Sequence, residues 1–161
     1  MQTWQVWEHL VTISVRSALG GKNVSAQSGR VLGKRYTGSN STDLNVYPDV
    51  IATIHSEEGT RQVIIDAKYK GHIERGRLSV SNADIYEALA FARAASIKDV
   101  VLAYPCIAAE VSASNKEVGH VAEFSRIDVE GVTIRAIELG VCGISQRGGL
   151  KKFCSAICAA I

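Results

Sequence analysis

A chain of 161 residues, 47% of them hydrophobic, has enough apolar side chains for one packed core of ordinary domain size. Its formal net charge of +2, with a pI near 8.4, is too mild to announce a nucleic-acid protein, so any basic surface has to come from local clustering. No segment is apolar for long enough to span a bilayer, and no basic stretch followed by an apolar run opens the chain; the expectation is one soluble, cytoplasmic domain over residues 1–161.

The first element is a helix. Trp4, Trp7, Val11, Val15 and Ala18 recur at steps of three and four, and Gly20-Gly21 ends the pattern, which predicts an amphipathic helix over residues 4–19. Residues 24–36 form a weaker strand candidate, and "TGSNSTD", residues 37–43, reads as a polar loop. Residues 47–55 and 62–69 are apolar, β-branched runs on either side of Ser56-Glu57-Glu58-Gly59-Thr60, so they should pair as an antiparallel hairpin. The basic stretch "KYKGHIERGR", residues 68–77, contains glycines that argue for a loop.

Ser81 and Asp84 have capping-box spacing, and Ile85, Ala88, Leu89, Ala92 and Ala95 form a helical stripe, which predicts a second helix over residues 82–96. "VVLAYP" reads as a buried strand ended by Pro105, and residues 132–141 as another; the stretch 106–131 between them yields no assignment. Residues 148–161 are rich in small side chains and read as a closing helix, with Lys151 and Lys152 near its start. Cys106, Cys142, Cys154 and Cys158 contain no Cys-x-x-Cys pair, so they read as buried free thiols rather than a disulfide framework or a zinc site. The order of elements implies a mixed sheet flanked by helices, in an α/β or α+β layer structure.

Chemistry concentrates around the hairpin. With its turn near residues 57–59, Asp49 and Asp66 become near neighbours across the two strands. Facing carboxylates destabilise a sheet unless something compensates, most simply a divalent cation, and oxygen ligands suit Mg²⁺ or Mn²⁺. Alternation places Lys68 on the same face as Asp66 and Ala67 on the other. The ammonium could then orient or help deprotonate an attacking water and offset charge on a phosphate, the chemistry of phosphodiester hydrolysis. Glu8, at the edge of the first helix's apolar stripe, is equally a solvated residue or a third carboxylate of the site. His55 and His72 are conceivable bases that such a scheme does not require.

These residues resemble the PD-(D/E)XK nuclease superfamily, with Pro48-Asp49 and Asp66-Ala67-Lys68 as its two half-motifs. "IIDAKYK", "ADIYEALAFA" and "VVLAYP" resemble the nuclease domain of the McrC-type subunit of modification-dependent restriction systems, a similarity over roughly residues 8–141. It implies a restriction-endonuclease-like α/β fold and a Mg²⁺-dependent endodeoxyribonuclease, with Mn²⁺ as a substitute. The implied metal set is Asp49, Asp66, Ala67 and Glu8, with Lys68 acting on the water. It also implies double-stranded DNA as substrate and a GTP-hydrolysing AAA+ motor subunit as partner. The chain starts at the first helix, where McrC-type subunits carry a further region that engages that motor, so it reads as the C-terminal part of a longer McrC-like protein. Glu87 stands where the family often has a glutamine that positions the DNA backbone or the lysine, and Phe91 stands where a tyrosine often follows. Lys70, Arg75 and Arg77 are candidates for phosphate contact. Cutting a duplex takes two scissions, which a homodimer or paired recruitment would supply. Two rival readings stay open: a nuclease-fold module that binds DNA without turnover, and a non-enzymatic α/β scaffold.

Overall fold

In the computed structural model, which describes residues 2–74, 77–107 and 112–161, a six-stranded mixed sheet carries helices on both faces. Its strands are β1 (Val24–Ala26), β4 (Val50–Ser56), β5 (Gly59–Ala67), β8 (Asp99–Cys106), β9 (Val121–Val129) and β10 (Val132–Gly140), in the order β1-β4-β5-β8-β10-β9. β5, β8 and β10 run parallel, and the other pairings are antiparallel. The parallel trio is buried on both faces, which is why β8 reads as an unbroken apolar run instead of an alternating one.

Alternation along each strand sorts side chains into two cores. Val63 and Ile65 of β5 join Val101, Ala103, Ile137 and Leu139 against α1 (Thr3–Leu19) and α4 (Gly149–Ala160). Ile64 joins Ile51, Val100, Leu102 and Ile134 against α2 (Asn82–Ala95), which contributes Ala88, Phe91 and Ala92. Of the predicted apolar stripe of α1, Trp7, Val11 and Val15 are buried, whereas Trp4 and Ala18 at its two ends are exposed because they lie beyond the sheet and α4 contacts; the Trp7 indole donates to the Ala103 carbonyl at 3.0 Å. Trp7 also meets Phe153 of α4 edge-on, with centroids 5.9 Å apart.

The β4–β5 hairpin closes through Glu57-Glu58, with Ser56 opposite Gly59, so its turn is tighter than the five-residue connection the sequence suggests. Gly59 there has φ +130, a conformation that side chains disfavour. Pro105 does not end β8, which runs to Cys106. The β5 ladder stops at Ala103, so beyond it β8 is bonded only to β10 and the missing proline N–H costs no pairing on the β5 side.

Other sequence expectations change. "TGSNSTD" is not a loop: it forms the turn and second strand of a separate hairpin, β2 (Arg30–Thr37) with β3 (Asn40–Val46), turning at Gly38-Ser39. That hairpin is exposed on both faces over much of its length, so its polar sequence shows no strand alternation. "KYKGHIERGR" likewise contains β6 (His72–Glu74), paired with β7 (Arg77–Ser79). Gly71 there makes room for Leu78, whose Cδ1 would lie 2.3 Å from an added Cβ. The unassigned stretch supplies α3 (Ala113–Lys116) and the edge strand β9, whose alternation is broken by a bulge opposite Ala136/Ile137. All four cysteines are free; Cys106 and Cys154 are buried as expected, but Cys142 is exposed and Cys158 half-buried. None of the described helices is long and apolar enough to cross a membrane.

Candidate active site

The β4–β5 register pairs Val50 with Ile65, and one further step in the same register sets Asp49 against Asp66. Asp49 lies just before β4, and its Oδ2 accepts from the Ala67 amide at 2.9 Å. The two carboxylates are close enough that Asp49 helps to raise the Asp66 pKa.

Asp66 shares the parity of Ile64 and faces α2. It is 4% exposed, and no hydrogen bond reaches its Oδ2 among the described residues. Burial pushes its pKa up to about 7; Lys68 pulls against that shift, while Asp49 and Glu87 add to it. The Lys68 amide donates to the Ala103 carbonyl at 2.9 Å, extending the β5–β8 ladder one step and keeping the lysine on Asp66's side. Its Nζ lies 2.7 Å from Asp66 Oδ2, as an ion pair without aligned hydrogen-bond geometry. It also lies 2.5 Å from Glu87 Oε2 and 3.7 Å from Asp84 Oδ1. Burial alone would lower the lysine pKa, but Asp66 and Glu87 together hold it above the ordinary lysine range.

Glu8 reaches the site from the opposite layer. The Gln27 side-chain amide donates to Glu8 Oε1 and to Asp49 Oδ1, each at 2.8 Å, and the Gln27 backbone N–H donates to the Asp49 carbonyl at 3.0 Å. Burial and the charge of Asp49 raise the Glu8 pKa, while His9 and the Gln27 hydrogen bond lower it. Gln27 holds φ +49, a left-handed backbone rarely adopted by a residue other than glycine, asparagine or aspartate. Glu8 and Asp49 open onto a cleft of about 370 Å³ with Trp4, Gln5, His9 and Tyr47 on its walls. Two hollows of about 700 Å³, one between α1 and α4 and one between the C-terminal half of α2 and the β9–β10 turn, include neither Asp49 nor Asp66 in their walls.

The structure thus brings Glu8, Asp49, Asp66, Lys68 and Glu87 into one connected network. Among the described residues, no three His, Cys, Asp or Glu side chains converge as a cluster that could hold a metal ion. Glu87 is paired with Lys68, and Phe91 is 5% exposed and packed in the α2 core, so the two departures on this helix occupy different environments. Lys70 and Arg77 are exposed, without an ion pair among the described residues, and Arg75 lies outside them. His55 is engaged with Thr60 and Asn23, at 2.9 and 3.3 Å, and the His72 side chain is outside the description.

Sequence reading missed Gln27, Asp84 and Tyr104. Asp84 was legible only as a capping residue: its N–H does donate to Ser81 Oγ at 3.1 Å, but its carboxylate accepts from the Tyr104 hydroxyl at 3.3 Å and approaches Lys68. Tyr104 lies within the apolar β8 run, and burial, then Asp84, raises its pKa. Gln27 carries no signal short of the tertiary structure, because its partners are 19 and 22 positions away.

Residues 1–105 match the family described as McrBC 5-methylcytosine restriction system component. The chain belongs to this family. No curated protein matches it. Every member of the network, from Glu8 to Tyr104, falls within the matched stretch, whereas β9, β10 and α4 lie beyond it. Membership makes the chain a component of a McrBC 5-methylcytosine restriction system and implies a partner restriction subunit.

Proposed function

We propose that this McrBC-family chain is a Mg²⁺-dependent endodeoxyribonuclease with the PD-(D/E)XK fold, hydrolysing phosphodiester bonds of double-stranded DNA within a restriction system. The observation that carries the reading is Asp66: a carboxylate almost wholly buried at the end of a central strand, with Oδ2 lacking a hydrogen bond and a lysine 2.7 Å away. A buried carboxylate is costly, and the ammonium that offsets its charge is shared with Glu87, which leaves lone pairs of Asp66 for a further partner.

The donor set fits a hard divalent cation. Asp49, Asp66 and the Ala67 carbonyl offer oxygen, and Mg²⁺ is usually held through only one or two carboxylates, keeping water or substrate phosphate for the rest of its shell. Glu8 would enter through Asp49, to which Gln27 ties it. A cation held there supplies Lewis-acid polarisation of the phosphate and acidification of water. Lys68, held protonated by its carboxylate neighbours, acts as a donor that orients the attacking water and offsets negative charge growing on the phosphate, not as the base. The partner subunit is then the GTP-hydrolysing AAA+ motor that the McrC resemblance implies, and a homodimer or paired recruitment provides the second scission.

A second reading, binding without cleavage, draws on Glu87, whose carboxylate occupies the ammonium that the reaction needs. One experiment separates the two: single-turnover cleavage of a DNA duplex with and without Mg²⁺, with the motor subunit present, for wild type and Lys68→Ala. The expected outcome is Mg²⁺-dependent cleavage that falls by a factor of about one hundred or more in the variant, with fold and DNA binding retained. Cleavage unimpaired in Lys68→Ala would exclude the mechanism, and a wild type that binds without cutting would favour the degenerate module.

A further inference from the structure

The β2–β3 hairpin stands apart from the central sheet, and every residue from 34 to 43 is exposed. Its base is anchored: Val46 packs against the α2 core, and Leu32 lines a hollow with Leu89 and Ala90. The projecting half contains no aliphatic side chain. It carries Lys34, Arg35 and Tyr36, the last 72% exposed, then hydroxyl and amide residues around the turn, and one acid, Asp43. Lys34 stands opposite Asp43 in the register, yet among the described residues neither Lys34 nor Arg35 makes an ion pair. A ribbon with no apolar stripe has no core of its own to bury, so packing does not account for its projection.

Its two feet stand in the candidate site. One strand leads back through Gly29 and Ser28 to Gln27, and the other leads on through Tyr47 and Pro48 to Asp49. Gln27 and Asp49 are tied to each other by a backbone and a side-chain hydrogen bond. Gly29 lets the Tyr47 ring lie against the chain, since an added Cβ would be 3.0 Å from Tyr47 Cε1. The ribbon is thus rooted beside Asp49, and from there it runs past Leu32, at the C-terminal end of α2, before it projects.

We propose that this hairpin is an arm that enters the major groove of duplex DNA, with Lys34 and Arg35 on the phosphates of its two walls. A two-stranded antiparallel ribbon fits a groove about 12 Å wide. Consecutive residues of a strand point to opposite faces, so Lys34 and Arg35 lie on opposite faces of the ribbon. A flat anionic surface, such as a membrane or an acidic protein face, could meet only one of them, whereas a groove has a phosphate wall on each side. That the gripped duplex is the one cut rests on the nuclease reading; the arm's grip on DNA does not.

The test is fluorescence anisotropy of a labelled duplex over a salt series without divalent cations, comparing wild type with a Lys34→Ser/Arg35→Ser double variant. Both side chains are exposed, so the melting temperature should not change. Affinity should fall about tenfold or more, the slope of log affinity against log salt should decrease by about two, and each single variant should lower it by about one. Methyl green, which occupies the major groove, should displace the protein, and netropsin, which fills the minor groove, should not. An unchanged slope, displacement by netropsin alone, or a wild type with no duplex affinity overturns the proposal. Mg²⁺-dependent cleavage that persists with arm variants binding normally removes the arm and leaves the nuclease; arm-dependent binding without wild-type cleavage does the reverse.

Discussion

Lys68 and Glu87 face each other across the gap between β5 and α2, with Nζ 2.5 Å from Oε2, while the same ammonium lies 2.7 Å from Asp66. The lysine proposed to serve the phosphate is thus shared with a carboxylate that would also repel that phosphate. Glu87→Gln should free the lysine and speed single-turnover cleavage by about threefold to tenfold. Glu87 is half exposed, so its ion pair should matter little to folding, and the melting curve should move by less than about 1 kcal/mol equivalent. A slower Glu87→Gln enzyme would show that the carboxylate positions the lysine instead of competing for it.

Asp66 predicts an unusual dependence of stability on pH. Its pKa is about 7 in the folded chain against 3.8 as the ordinary value, so between these pH values the unfolded chain releases a proton that the folded chain keeps. Its contribution to stability is therefore complete below about pH 4, declines as pH rises, and is gone above about pH 7. Asp66→Asn, which cannot ionise, should be more stable than wild type at pH 8 without divalent cations, by up to about 4 kcal/mol, with the difference vanishing near pH 4. Mg²⁺ should raise the wild-type melting temperature at pH 8 and leave Asp66→Asn nearly unmoved. Thermal melts at both pH values, with and without Mg²⁺, check the sign and the linkage.

Gln27 keeps two carboxylates in one place with a single amide. Removing it should leave Glu8 exposed to the charge of Asp49 without the hydrogen bond that opposes the shift, so Gln27→Ala should raise the Glu8 pKa further, as read by NMR titration of the side-chain carboxyl. The left-handed backbone at this position should make Gln27→Gly more stable than Gln27→Ala, by about 1 kcal/mol. Equal stability of the two variants would mean that the segment relaxes once the amide is gone.

Phe91 faces the core and not the network, at 5% exposure among α2 and sheet residues. Phe91→Tyr, the residue that the McrC resemblance places here, would bury a hydroxyl and should cost about 1–3 kcal/mol if no partner is found. DNA affinity should be unchanged. Chemical denaturation and a binding titration of the same variant measure the two effects separately.

The grouping of Asp49, Asp66 and Lys68 was legible because it depends on short-range rules: strand parity puts Asp66 and Lys68 on one side, and hairpin symmetry brings Asp49 to Asp66. The helix stripe led by Trp7 and Val11 and the apolar runs of β5 and β8 were read from the same periodicities, because burial enforces them. Where burial is weak, as in residues 34–43, or where a bulge interrupts alternation, as in β9, the pattern fades and strands pass for loops. The sequence alone therefore determined the layered α/β class and the Asp49, Asp66 and Lys68 trio. Only the tertiary structure decided that Gln27 joins Glu8 to Asp49, that Glu87 and Asp84 surround Lys68, and that an exposed basic hairpin is rooted beside Asp49. Those relations join residues many positions apart on different elements, and their distances depend on how helices pack on the sheet, which no local periodicity encodes.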